Sequence, residues 1–324
     1  MRIGIGVMGC ANIARRHVIP AIQQTEEFEL KAVASRDEQK AREFGDLFGC
    51  DALCGYEALL QREDIGAIYM PLPTGIHEPW MMETITAGKH ILAEKSLAVD
   101  YASATRIMAA AKDAGLVVME NLMFEYHSQQ DRVRQIVNSG ELGQIRLFRS
   151  SFGFPPLDPA NFRYDKDLGG GALLDCGAYP LKATQVLWGP DVRVHHAMLH
   201  YDDTRDVDLY GSAFLSVAAD GRTIPAEVSF GMDNYYQCCY DIWGSKGRLV
   251  AARAFTAPPG FRPGMRIEKQ DECHEYALPQ DNHFVRTLRH FAAAIRDGRA
   301  ADEAAKVLRQ AKLLEDVRTH ATRI

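Results

Sequence analysis

Through the first 120 residues, short continuous apolar runs alternate with segments whose apolar side chains recur every three or four positions. The runs at 2–8, 30–35, 67–71, 90–94 and 116–120 read as strands. Ile13, His17 or Val18, and Ala21 or Ile22 recur at helical spacing, with Arg15 and Arg16 on the other face. Residues 38–48 and 78–87 follow the same period, the latter closed by Gly88, and so does a segment from about 102 that Gly115 ends. Pro20 should kink or split the first helix, because it removes a backbone donor. Continuous apolar strands alternating with helices predict a parallel sheet covered on both faces.

Beyond Asn121 the pattern changes. A helix at 129–138 leads into strand-like runs at 145–152, 207–217, 224–230, 236–243 and 248–252, separated by Gly, Asp and Asn. These predict a large, mostly antiparallel open sheet. His195-His196 reads as strand or surface. Helices at 284–296 and 301–319 close the chain. A single boundary near 122 follows, giving domains at 1–122 and 123–324.

Composition narrows the function classes. The 324 residues are 47% hydrophobic and 25% charged, and the net charge of -6 leaves no basic footprint for nucleic acid or an anionic membrane. Seven cysteines, an odd number with no CxxC pair, argue against a disulfide framework. Cys50 and Cys54 lack a second ligand pair, so no metal is expected. Residues 1–4 run straight into strand-like sequence, and no apolar run is long enough for a membrane span. The expectation is a cytoplasmic protein with reduced thiols and a small-molecule partner.

A literal GxGxxG falls at Gly4, Gly6 and Gly9, but Gly4 and Gly6 sit inside the first strand. Shifted to the turn, the fingerprint reads Gly9-Cys10-Ala11-Asn12-Ile13-Ala14. Gly9 allows the tight turn and Ala11 lets backbone approach a pyrophosphate. Asn12 and Ile13 open the helix whose amides face it, and Ala14 packs closely on the strand. This makes the first domain a Rossmann dinucleotide-binding domain of an α/β protein. NAD sites place an acid at the end of the second strand to hold the ribose 2′-hydroxyl. Here that end reads Ser35-Arg36-Asp37, and Ser35 and Arg36 suit a 2′-phosphate. NADP(H) is the expected cofactor, although Asp37 could still face the ribose.

Four segments together resemble the Gfo/Idh/MocA oxidoreductase family: the Gly9–Ala14 turn, Pro71-Leu72-Pro73-Thr74-Gly75-Ile76-His77, Gly88-Lys89-His90-Ile91-Leu92-Ala93-Glu94-Lys95, and Gly169-Gly170-Gly171-Ala172-Leu173-Leu174-Asp175-Cys176-Gly177-Ala178-Tyr179. Within it, the run from Glu120-Asn121 through Phe124 to Gln129, and Phe162-Arg163-Tyr164, look most like the NDP-hexose 3-ketoreductases of deoxysugar biosynthesis. The resemblance implies an α/β second domain whose open sheet forms an oligomer interface, as a dimer or tetramer. It implies a nicotinamide near Glu94-Lys95, with Leu72, Pro73 and Asn121 among the cofactor contacts. His77 is expected to line that cleft or cap the following helix. Lys95 would hold the catalytic lysine position. Phe124 and Tyr164 would meet the substrate.

The residue types suit ketone reduction, which needs a proton for the developing alkoxide. A phenol is an adequate acid there, and a nearby ammonium lowers its pKa. Tyr179 is therefore assigned as proton donor, and Lys95 as the group polarising the carbonyl. Asp175, four residues before Tyr179, would share its helix face and bind a sugar hydroxyl or orient Lys95. Arg163 suits the diphosphate of a nucleotide-linked sugar. The expected activity is NADPH-dependent reduction of such a keto-sugar. Oxidation or reduction of a free sugar, polyol or trans-diol, and a non-catalytic NADP-responsive regulator, are the alternatives. Ser96 stands where the family commonly has proline after a cis bond, so the Lys95-Ser96 peptide is either cis or a trans bond that moves Lys95.

Overall fold

The computed structural model describes residues 2–219 and 221–324. The chain gathers into two units: residues up to Asn121 with Phe284–Ala311, and Leu122–His283 with Lys312–Ile324. In the first, β1 (Ile3–Met8), β2 (Phe28–Ser35), β3 (Asp51–Cys54), β4 (Ala67–Met70), β5 (His90–Ala93) and β6 (Val118–Glu120) form one sheet in the order β3-β2-β1-β4-β5-β6. Every pairing is parallel, and this is the doubly wound order of a dinucleotide-binding fold. β4 is buried at all four positions, which is why its sequence is apolar without alternation. β3 is an edge strand with one half-buried residue, so no apolar period marks it.

The helix after β1 starts as a wide π-helical turn over Ala14–Val18 and continues as α1 (Ile19–Gln24). Pro20 lies where the π-helical turn passes into α1, and its missing N–H leaves a carbonyl of the preceding turn without that intrahelical bond. The expected kink is thus a change of winding. α2 (Glu38–Phe48), α3 (Tyr56–Leu60), α4 (His77–Thr86) and α5 (Tyr101–Asp113) complete the series. With only five residues, α3 is too short to show a helical period.

In the second unit, α6 (Ser128–Asn138) precedes β7 (Ile145–Gly153), and α7 (Ala178–Trp188) follows another π-helical turn at Leu173–Gly177. Then come β8 (Val192–Asp202), β9 (Val207–Ala219), β10 (Arg222–Gly231), β11 (Gln237–Gly244), β12 (Arg248–Ala252), β13 (Gly264–Lys269) and β14 (Glu272–Ala277). With β15 (Ala321–Arg323) they form a nine-stranded sheet ordered β14-β13-β12-β11-β7-β10-β9-β8-β15. It is antiparallel except where β7 meets β10 and β8 meets β15. α7 packs on β7, β9 and β10. β14 is exposed along its whole length, and the histidines of β8 interrupt its apolar pattern, so neither announces itself in sequence.

α8 (His283–Arg296) and α9 (Ala300–Thr319) come last among the helices. Phe284, Leu288, Phe291 and Ala292 bury one face of α8 at helical spacing. Phe291 stacks on Phe28 of β2 at 5.8 Å, and Phe284 on His17 at 5.0 Å. Residues Phe284–Ala311 therefore belong with the first unit, whereas the sequence reading placed everything after 122 in the second.

Candidate active site

The strand-end turns of the first unit line a cleft of about 530 Å³. Gly9, Ala11, Ser35, Arg36, Leu72 and Pro73, all expected at a cofactor, line it together. Gly9 has φ +119°, and a Cβ there would come within 2.9 Å of Leu72 Cδ2. A Cβ on Gly4 would fall 1.9 Å from the Asp64 carbonyl oxygen, so this glycine serves strand packing. The shifted register of the fingerprint is the structural one. Asn12 and Ile13 open the first helix, exposed and half-buried, and Ala14 is fully buried as close packing requires.

At the end of β2, Ser35 Oγ accepts the Asp37 N–H at 3.1 Å. Asp37 Oδ1 in turn accepts the Lys40 N–H at 3.1 Å, capping α2. The acid that could have faced a ribose is therefore a helix cap. Lys40 and Tyr56 also line the cleft, with Arg36 beside the Tyr56 hydroxyl. Sequence reasoning missed both. Lys40 was findable, because a helix capped by Asp37 turns its N3 residue toward the same strand end. Cys10 lines the cleft too, but burial pushes its thiol up to about 11, so it is no thiolate at neutral pH.

His77 neither lines the cleft nor caps α4. It is fully buried as the first residue of α4, with Nε2 2.8 Å from the Leu72 carbonyl and Nδ1 3.0 Å from that of Leu97. Burial lowers its pKa. It ties the Leu72-Pro73 turn to the segment just after Lys95. That segment contains a cis Lys95–Ser96 peptide, and the Leu97 N–H donates to Glu120 Oε1 at 2.9 Å. Glu94 Oε1 accepts from Tyr69 Oη at 2.8 Å and Asn121 Nδ2 at 2.6 Å, while burial raises its pKa. Asn121 is 1% exposed, and its Oδ1 has no hydrogen-bond partner among the described residues.

In the second unit, Tyr179 is nearly buried on the first turn of α7. Its ring meets those of Phe152 at 4.8 Å, Phe124 at 5.9 Å and Phe255 at 5.9 Å. Phe124 is itself fully buried, so it braces Tyr179 where a substrate contact was expected. Asp175 lies in the π-helical turn, and its partner is Arg163, Nε to Oδ2 at 2.7 Å. The guanidinium sits over Phe162 at 4.7 Å. Tyr164 is occupied elsewhere: its Oη accepts the Leu157 N–H at 3.0 Å and Arg205 covers its ring at 4.9 Å. Lys182, unmarked in the sequence reading, is buried one turn beyond Tyr179 with Glu125 at 3.3 Å.

Residues 3–122 match the oxidoreductase family, NAD-binding Rossmann fold, and residues 131–250 match the GFO/IDH/MocA C-terminal domain. The chain belongs to the Gfo/Idh/MocA oxidoreductase family. Among its members, a dTDP-3,4-didehydro-2,6-dideoxy-alpha-D-glucose 3-reductase of Streptomyces violaceoruber is 42% identical, covering 98% of this chain and 95% of that one. A 3-ketoreductase from Actinomadura kijaniata, solved in complex with NADP and TDP-benzene, is 40% identical with a TM-score of 0.95, covering 100% of this chain and 99% of that one. The aldose-aldose oxidoreductase of Caulobacter crescentus, at 24% identity and a TM-score of 0.85 over 98% of each chain, shares the fold. Among the described residues, no helix is long and apolar enough to cross a membrane, and no cluster of ligand side chains suits a metal ion.

Proposed function

We propose that this family member reduces the ketone of a nucleotide-linked 3-keto sugar with NADPH. The observation that carries the reading is the setting of Tyr179: a phenol clamped by three phenylalanine rings on a helix that also carries the Asp175–Arg163 pair. Relatives of 38–42% identity over nearly their whole length carry the 3-reductase name. A D-xylose 1-dehydrogenase (NADP(+)) of Haloferax volcanii is 33% identical, so a free-sugar activity is the weaker reading. The Actinomadura enzyme has also been solved with a lysine replaced by alanine and with a tyrosine replaced by phenylalanine. Those two positions are separated by the same number of residues as Lys95 and Tyr179.

The first unit fits NADP(H). Gly9 leaves room that a Cβ would fill, Arg36 and Lys40 border the end of β2, and Asp37 is engaged as a cap. The orphaned Asn121 Oδ1 suits a donor on the bound dinucleotide. When bound, the cofactor supplies a hydride to the carbonyl carbon. Lys95 polarises the carbonyl oxygen, and Tyr179 Oη gives its proton to the alkoxide, leaving an alcohol. Glu94, held by Tyr69 and Asn121, fixes the strand end before Lys95. Arg163, whose Nε is taken by Asp175 and whose Nη1 reaches Asn161 Oδ1 at 3.5 Å, keeps its Nη2 side for the substrate diphosphate.

Exposed Met198, Phe214 and Trp243 on the nine-stranded sheet suit contact between copies, as a dimer or tetramer. With no disulfide among the described residues, the seven cysteines suit a reducing, cytoplasmic setting. The test is NADPH oxidation with a dTDP-linked 3-keto sugar. Tyr179→Phe should lower kcat by about 10²-fold or more and leave NADPH fluorescence titration unchanged. Unchanged turnover would remove Tyr179 from the chemistry.

A further inference from the structure

The helix that presents Tyr179 has no cap of its own. Its N-terminal residues are Gly170, Gly171 and Ala172, and the turn beginning at Leu173 receives no side-chain hydrogen bond from its N-cap position. Orphan amides at a buried helix start need acceptors from elsewhere. Asp208, on β9, supplies one: its Oδ2 accepts the Leu173 N–H at 2.6 Å, and the Ala172 amide also bonds to its carboxyl. We infer that Asp208 is a positioning residue for the reaction, a cap reaching across from the sheet to fix the helical start that carries Asp175 and Tyr179. The inference rests on Tyr179 being the proton donor.

The glycine run makes sense on this basis. Gly171 has φ +112°, and a Cβ there would lie 2.3 Å from Asp208 Oδ1. Only glycine admits the carboxylate to the amides. On the other side, a Cβ on Gly170 would lie 2.4 Å from the Arg163 carbonyl oxygen, which accepts the Gly171 N–H at 3.0 Å. One short segment is thus held by Asp208 and by the Arg163 loop, and Arg163 in turn grips Asp175. An anion at this end also favours the helix dipole. A misplacement of about 1 Å at a reacting group can cost on the order of 10² in rate. The charged and titratable groups around the Asp208 carboxyl are Tyr201, its neighbour across β8, and Arg318 of α9. Burial pushes the Asp208 carboxyl up to about 6, so it is ionised at pH 7.

Three variants of the full-length protein separate the readings: Asp208→Ala, Asp208→Asn and Tyr179→Phe. Hydrogen exchange of the 169–180 peptide reads the anchoring directly, and steady-state kinetics with the dTDP-linked 3-keto sugar read its consequence. Asp208→Ala should exchange at least tenfold faster in that peptide and lose at least tenfold in kcat, with the NADPH dissociation constant unchanged. Asp208→Asn, which keeps an acceptor oxygen, should restore kcat to within about threefold of the parent. NADPH binding and the thermal transition confirm that each variant is folded. Parent-like exchange and kcat in Asp208→Ala would overturn the inference, as would an Asp208→Asn enzyme as impaired as the alanine variant. If Tyr179→Phe turns over normally, the functional reading fails instead, and the exchange rates still decide whether Asp208 holds the helix.

Discussion

At the residue scale, the cofactor preference turns on three neighbours at the end of β2. Arg36 is the cation, Asp37 is withdrawn into the cap of α2, and Lys40 stands one turn along. Arg36→Ala should therefore raise the NADPH dissociation constant about tenfold, since a hydrogen bond to a charged group contributes roughly 1.5–3 kcal/mol, and leave NADH binding unchanged. Fluorescence titration with both nucleotides checks this; an equal loss for NADH would remove Arg36 from the 2′-phosphate. Asp37→Ala should cost about 1 kcal/mol of stability by denaturant unfolding and not weaken NADPH, because the carboxylate serves the helix. Arg36 was legible in the sequence because strand position alone predicts what that residue meets. The role of Asp37 was not, because cap and ribose contact demand the same residue type at the same place.

At the element scale, legibility followed burial. β1, β4 and β5 show themselves because both faces are covered, whereas β3 and β14 carry too little buried surface to impose a pattern. The two π-helical turns, one of which carries Asp175, are invisible to a 3.6-residue period. The second turn also has an electrostatic consequence. Asp208 has a folded pKa of about 6, above its unfolded value near 4, so the folded state holds the proton more tightly. Its contribution to stability is full below about pH 4 and lost as pH rises through 6, on the order of 3 kcal/mol. Asp208→Asn should remove this dependence and raise the thermal transition most above pH 6. Parallel pH profiles for parent and variant would contradict it. A carboxylate that costs stability when ionised yet holds the helix of Tyr179 is placed for position and not for strength.

At the scale of the whole molecule, the sequence suggested one cut where the structure needs three. Residues 3–122 hold every strand of the parallel sheet, and they match the nucleotide-binding part of the family on their own. Yet Phe28, 2% exposed, has Phe291 stacked against it, and His17 has Phe284 in the same way. The late segment thus supplies part of a core laid down more than 200 residues earlier. No local pattern could show this, since an amphipathic helix reveals that it has a partner without revealing which one. Losing a buried phenylalanine contact costs roughly 3–5 kcal/mol, a large share of the stability of a domain this size. A fragment of residues 1–122 should therefore fail to give a cooperative unfolding transition by circular dichroism and should not bind NADPH. Joining residues 284–311 to it through a flexible linker should restore both, and Phe291→Ala in that fusion should abolish the gain. A fragment of 1–122 that folds and binds the nucleotide unaided would show that the sheet is self-sufficient and that α8 merely covers it.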